Sequence, residues 1–124
     1  MTLVLIAGGG AAGAVARYLV DTAVGARFGS AFPLGTMVVN LSGSFVLGLL
    51  FALAIDRSVL PSDVRAPIMI GFLGAYTTFS TLTLDSWRLV ETGAIALAIA
   101  NLVGSVILGM VAVVLGLAVG RALG

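Results

Sequence analysis

The sequence contains no cysteine and no histidine, and only 9% of its residues are charged. Without cysteine, no disulfide can form and the redox compartment cannot be read from the chain. Without histidine, the commonest general base and metal ligand is missing, so a hydrolase or a metalloenzyme is not expected. The formal net charge of +1 is too low to indicate a basic surface for binding nucleic acid. We therefore expect neither an enzyme nor a nucleic-acid-binding protein.

Apolar residues fill the chain instead: 60% of the residues are hydrophobic and the mean hydropathy is +1.25. Charged residues interrupt the sequence so rarely that residues 28–55, 66–84 and 92–120 are uncharged throughout. Because a spanning helix needs about 20 apolar residues, we predict one all-α membrane domain over residues 1–124. Its four spans are predicted at residues 3–22, 33–55, 67–90 and 94–120. A signal peptide over residues 1–20, the alternative, would need a basic n-region that the sequence lacks.

The six basic residues are all arginines, and they divide evenly between the two sides of such a domain. The positive-inside rule therefore gives no orientation. Either the counts in a small protein are noisy, or the chain inserts both ways up and pairs antiparallel. The first side has Arg57, Arg65 and Arg121, and the other side has Arg17, Arg27 and Arg88.

Small residues recur four positions apart, in the spacing that allows membrane helices to approach closely. The pairs are Gly9 with Gly13, Gly116 with Gly120, and Ser44 with Gly48. We interpret them as support for pairing between chains, with packing inside one four-helix chain as the alternative. The run from Gly8 to Gly13 also matches GxGxxG, but no acidic residue lies near position 33, so it does not indicate a dinucleotide site.

Polar residues form stripes inside the apolar spans. Thr36, Asn40 and Ser44 share one face of the second span, and Asn101 and Ser105 share one face of the fourth. In the third span, residues 77–85 contain five hydroxyls and a carboxylate. Hydrogen bonding between helices would account for each residue singly. Together, neutral donors without fixed charge suit a small, strongly hydrated anion that must bind weakly enough to leave.

The third span also predicts an interrupted helix. Gly71 and Gly74, followed by the β-branched pair Thr77-Thr78, form poor helical sequence. A break at membrane depth leaves backbone carbonyls that lipid cannot satisfy, and such carbonyls are known cation ligands. If two chains met antiparallel at this point, four carbonyls could hold one hard cation such as Na⁺. The alternative is a simple kink.

Three motifs then resemble the CrcB/Fluc family of fluoride channels across essentially the whole chain. They are GxxxGxxxRY (Gly9, Gly13, Arg17, Tyr18), GTxxVNxxGxFxxG (Gly35 to Gly48) and GFxGxxTTFST (Gly71 to Thr81). The resemblance implies four-span chains that form antiparallel, dual-topology dimers. Such dimers export fluoride passively through two pores and hold a structural, non-transported Na⁺ at their centre.

The resemblance also implies roles for individual residues. Gly74 and Thr77 would offer backbone carbonyls to the Na⁺, and Arg17 would lie near a vestibule. Phe79 would turn the positive edge of its ring toward the anion. The other implied pore residues are Asn40, Ser80, Thr81, Ser105 and Asn101.

One residue departs from the family pattern, because Leu82 stands where a second pore phenylalanine belongs. Leucine has no ring edge, so either one phenylalanine per chain suffices, conduction is reduced, or a second, non-identical subunit supplies the ring. Two other functions stay open. A small multidrug-type exporter would need a membrane-buried carboxylate, and a non-transporting assembly subunit would tolerate replacement of its polar residues.

Overall fold

The computed structural model describes residues 1–123 and is all-helical, with four helices long and apolar enough to cross a membrane. Helix α1 is Thr2–Phe28, and α2 is Leu34–Asp56, whose last turn from Ala52 widens into π geometry. The third span consists of α3, residues 62–76, and α4, Phe79–Glu91. Helix α5 is Ile95–Ala122. The predicted all-α, four-span class is confirmed.

Two helix ends differ from the predicted spans by more than two residues. Helix α1 runs to Phe28 and not to residue 22, because nothing in residues 23–28 breaks a helix and Gly29, at φ 81°, ends it. Helix α3 begins at Ser62, directly after Pro61, and not at Pro67. Pro67 therefore lies one turn inside the helix, where Ala66–Phe72 adopts π-type turns. Such turns relieve the lost hydrogen bond of an interior proline.

Apolar side chains lie on the outside of the molecule and polar side chains lie inside it, as expected for a protein surrounded by lipid. Large apolar side chains cover the outside, and Val106 and Ile107 of α5 are more than half exposed. The buried set includes the polar side chains of Thr36, Ser86 and Asn101. A multi-pass membrane protein is the arrangement in which this distribution is stable.

Glycines set the two closest helix contacts, α1 against α3 and α2 against α5. A methyl group added at Gly13 would stand 2.9 Å from the Phe72 carbonyl carbon, and one added at Gly116 would stand 2.8 Å from the Leu49 nitrogen. Both neighbours are backbone atoms of the same chain. The interpretation of the glycine pairs as contacts between chains is therefore wrong, because these surfaces are already occupied by intrachain packing.

The third span is interrupted at Thr77 and Thr78, which have extended φ, ψ angles of −78°, 154° and −149°, 113°. The interruption lies at the β-branched end of the stretch Gly71 to Thr78 that the sequence singled out, whereas the two glycines of that stretch are helical. Gly71 instead allows close contact with α1, since an added methyl group would stand 3.2 Å from the Gly10 nitrogen.

Candidate functional site

Asn40 of α2 bonds both backbone polar groups of Thr78. The Thr78 N–H donates to Asn40 Oδ1 at 2.7 Å, and Asn40 Nδ2 donates to the Thr78 carbonyl oxygen at 3.1 Å. An asparagine amide carries one acceptor oxygen and two N–H donors, so one donor of Asn40 is left for another partner. Asn40, which was predicted to line a pore, thus also holds the backbone of Thr78 in place.

The interruption releases the carbonyls of Gly74 and Thr77 from helical hydrogen bonding. In a continuous helix they would accept from the amides four residues later, those of Thr78 and Thr81. The Thr78 amide instead donates to Asn40, and the Thr81 amide donates to Thr78 Oγ1 at 3.2 Å. The two carbonyls predicted as cation ligands are therefore those whose usual donors are diverted.

Neighbouring groups at the interruption are satisfied by side chains. Arg17 Nε of α1 donates to the Ala75 carbonyl oxygen at 3.1 Å, and Thr77 Oγ1 donates to the Leu73 carbonyl oxygen at 2.9 Å. A cation at the carboxyl end of a helix is also favourable for the helix dipole. Arg17, predicted near a vestibule, here caps α3.

Thr78 starts the second half of the span as the N-cap of α4. Besides accepting from the Thr81 amide, its hydroxyl donates to Thr81 Oγ1 at 3.0 Å and lies 3.3 Å from Ser80 Oγ. Hydroxyl residues are favoured at this position because they satisfy amides that lack a helical partner. Part of the hydroxyl cluster is thereby explained by capping.

A groove of about 300 Å³ opens beside the interruption and gathers five of the predicted site residues. Phe79 projects at its mouth and is 77% exposed, whereas Leu82 is 6% exposed. All residues that line the groove in the described part of the chain are uncharged. The five predicted residues are Asn40, Gly74, Thr77, Phe79 and Ser105.

The other predicted residues lie outside the groove lining. Ser80 is exposed, Thr81 is bonded to Thr78, and Arg17 caps α3. Asn101 is fully buried, and its Nδ2 donates to Ser86 Oγ at 2.9 Å. Within residues 1–123, Asn101 Oδ1 and Ser105 Oγ are buried without a hydrogen-bond partner.

Sequence reasoning did not identify Ser86 or the Thr36–Asp85 pair. Ser86 Oγ accepts from Asn101 and donates to the Leu82 carbonyl oxygen at 2.8 Å, and Thr36 Oγ1 donates to Asp85 Oδ2 at 3.0 Å. Asp85 also lines a second cavity of about 490 Å³ with Arg88 and Thr92. Of these three residues, only Thr36 could be recognised from the sequence, because it precedes Asn40 by one turn on the same face of α2.

The donor set at the interruption suits a hard cation. No cluster of three or more histidine, cysteine, aspartate or glutamate side chains occurs among residues 1–123. The available ligands are backbone carbonyl oxygens, which hard cations accept. A methyl group added at Gly74 would find nothing nearer than the Met69 carbonyl oxygen at 4.0 Å, so the surface beside this carbonyl is open. The residues therefore fit a carbonyl-coordinated cation.

Comparison with known proteins agrees with these motifs. Residues 4–117 match the family described as CrcB-like protein, Camphor Resistance (CrcB). Proteins named fluoride-specific ion channel FluC are 48% identical in Magnetococcus marinus, over 98% of both chains, and 44% identical in Solibacter usitatus, over 98% of this chain and 99% of the relative. One of the same name in Methylococcus capsulatus is 44% identical over 99% of this chain, which spans 54% of that relative. This chain belongs to the CrcB family.

Proposed function

We propose that the chain is a fluoride-selective ion channel that passively exports fluoride and lowers its cytoplasmic concentration. The observation that carries the proposal is the uncharged groove, in which an amide, hydroxyls and a phenylalanine ring converge at a helix interruption. The curated relatives named fluoride-specific ion channels support the same conclusion.

Neutral donors suit passive fluoride transport. A dehydrated anion needs hydrogen bonds to replace its water, but a fixed cation would hold it too tightly for rapid passage. Asn40 keeps one N–H free, and the buried hydroxyl of Ser105 is unpartnered within residues 1–123. The Phe79 ring adds a positive edge beside them. Rapid passage then follows from donors that are close enough to bind fluoride and too weak to retain it.

The groove of one chain forms only one wall of a pathway, so we propose that the working unit is an antiparallel dimer. Exposed Phe79 and exposed Gly74 border the groove and would be covered by the second chain. Six arginines divided evenly between the two sides allow insertion in either orientation. Pairing of opposite orientations would bring two interruptions to the centre of the membrane.

We also propose a structural Na⁺ at the centre of that dimer. Gly74 and Thr77 of each chain would supply backbone carbonyl oxygens, whose helical donors are diverted to Asn40 and to Thr78. The cation would neutralise four converging carbonyl dipoles and hold the chains together. It is a resident ion and not a transported one, because its ligands lie in the contact between the chains.

Ion efflux from liposomes tests the channel proposal. The purified chain is reconstituted, and fluoride and chloride release are followed with ion-selective electrodes. Rapid fluoride loss with retained chloride supports a selective channel formed by this chain alone, with Leu82 in place of a second ring. If folded protein releases no fluoride alone and none with a co-expressed paralogous subunit, the channel proposal is wrong.

Cation replacement tests the Na⁺ proposal separately. Exchange of Na⁺ for N-methylglucamine, which is too large for a carbonyl site, is expected to lower the thermal stability of the dimer and to increase the monomer fraction. Potassium serves as the matched control for ionic strength. Equal stability in all three salts would exclude a central Na⁺ site while leaving the efflux result untouched.

A further inference from the structure

The two hydrogen bonds between Asn40 and Thr78 have a consequence for the cation site. The Thr78 amide donates to Asn40 Oδ1 at 2.7 Å, the shorter of the two bonds. That amide is the one that would bond the Gly74 carbonyl in a continuous helix. The side chain of α2 and a carbonyl of α3 are therefore competing acceptors for a single N–H.

We infer that Asn40 is a positioning residue for the cation site, in addition to its place in the groove; the inference rests on the proposed Na⁺ site. By accepting the Thr78 N–H, Asn40 keeps the third span interrupted and keeps the Gly74 carbonyl available. Without that acceptor, the Thr78 amide would be unsatisfied at membrane depth, where no water can replace the lost partner. The nearest remedy is renewed helical bonding to Gly74, which consumes the carbonyl.

The backbone around Thr78 favours renewed helical hydrogen bonding of its amide to the Gly74 carbonyl. Gly74 to Tyr76 already belong to a helical turn, so only the ψ angle of Thr77 and both backbone angles of Thr78 need to change for the helix to continue. The Thr78 hydroxyl cannot hold its own amide apart from the helix, because it is engaged with the Thr81 amide. Asn40 is thus the contact across helices that fixes the Thr78 backbone.

The Asn40 side chain also has a second role, in the groove. Asn40 lines the groove and has one N–H beyond the one that donates to Thr78. Its oxygen holds the Thr78 amide away from Gly74, and its remaining N–H is available to the proposed anion pathway. The two roles are separable by substitution. Asn40→Leu removes both, whereas Asn40→Asp retains an oxygen that accepts from the Thr78 amide in either protonation state.

The test measures the thermal stability of the purified dimer as Na⁺ replaces N-methylglucamine at constant ionic strength. The unsubstituted protein is expected to gain stability with Na⁺. In Asn40→Leu the gain in stability is expected to disappear, or to require Na⁺ concentrations on the order of tenfold higher. A tenfold change in affinity is the effect expected when one hydrogen bond that supports the site is lost. Ser44→Ala is the matched control: it lies one turn away in the same groove and should keep the full response.

The Na⁺ responses of the two Asn40 variants decide whether the inference holds. An unchanged Na⁺ response in Asn40→Leu overturns it. If Asn40→Leu does not fold, Asn40→Asp decides: a retained response together with reduced fluoride efflux supports the inference, and a lost response overturns it. Absence of any Na⁺ response in the unsubstituted protein removes the cation site and this inference together, while its fluoride efflux still reports independently on the channel function.

Discussion

Replacement of Gly13 by alanine tests how closely α1 must approach the interrupted span. The added methyl group would stand 2.9 Å from the Phe72 carbonyl carbon and 3.0 Å from its Cα. The Phe72 carbonyl oxygen lies closer still. Since carbon atoms are at optimal separation near 3.5 Å, α1 would have to move by at least about 0.6 Å. The obstructing atoms belong to the backbone, so a rotamer change cannot relieve them. Overpacking of this kind costs about 1–3 kcal/mol.

The displacement would reach the functional site through Arg17, one turn further along α1. Its Nε lies 3.1 Å from the Ala75 carbonyl oxygen. A shift of about 0.6 Å away from α3 would lengthen this contact beyond hydrogen-bonding distance. The Ala75 carbonyl would then lose its partner at the interruption. Gly13→Ala is therefore expected to lower fluoride efflux as well as stability.

Gly8→Ala is the matched control in the same helix. Gly8 is exposed, and nothing lies within 4 Å of an added methyl group. Relief of glycine flexibility should stabilise α1 by about 0.5–1 kcal/mol. The assay is unfolding in mixed micelles with increasing SDS, followed by circular dichroism. Both variants gain this stabilisation of α1, so the expected separation between them is the overpacking cost alone, about 1–3 kcal/mol. Equal stability of the two variants would refute the proposed packing of α1 on α3.

Three further substitutions test the groove and the core. Phe79→Ala should reduce fluoride efflux in liposomes while size-exclusion chromatography still shows the dimer; unchanged efflux would remove Phe79 from the pathway. Leu82→Phe should leave efflux equal or raise it if a homodimer is the working unit, and a loss of efflux would contradict that view. Asn101→Leu should destabilise the fold by about 1–3 kcal/mol, since Ser86 loses its buried donor; a stability equal to that of Ser86→Ala would show that the lost bond, and not altered packing, sets the cost.

The spans were predictable because membrane solvent imposes a simple rule on the sequence. Long uncharged runs must be helical where no water can satisfy the backbone. Helix ends were less predictable, because they depend on local backbone angles and not on charge. The first span was predicted to end at residue 22, but Gly29 is the residue that ends α1.

The position of the interruption illustrates the limit of local reasoning. The sequence indicated a weak helix from Gly71 to Thr78, yet both glycines are helical and only Thr77 and Thr78 leave the helix. The interruption falls where Asn40 from another helix bonds the Thr78 backbone. A contact between residues 38 positions apart leaves no local pattern in a single sequence. The glycine pairs failed as predictors for a related reason, since small residues permit close packing without specifying the partner.

Leu82, where the family pattern has a second phenylalanine, bears on whether one kind of chain suffices. Leu82 is almost fully buried, and Ser105 lines the same groove with a hydroxyl that is unpartnered within residues 1–123. A hydroxyl O–H is a stronger anion donor than a ring edge. The groove therefore retains a polar donor of its own, without a ring from a different subunit. The proposed homodimer therefore depends on this donor, and fluoride efflux by the purified chain alone is the result that it requires.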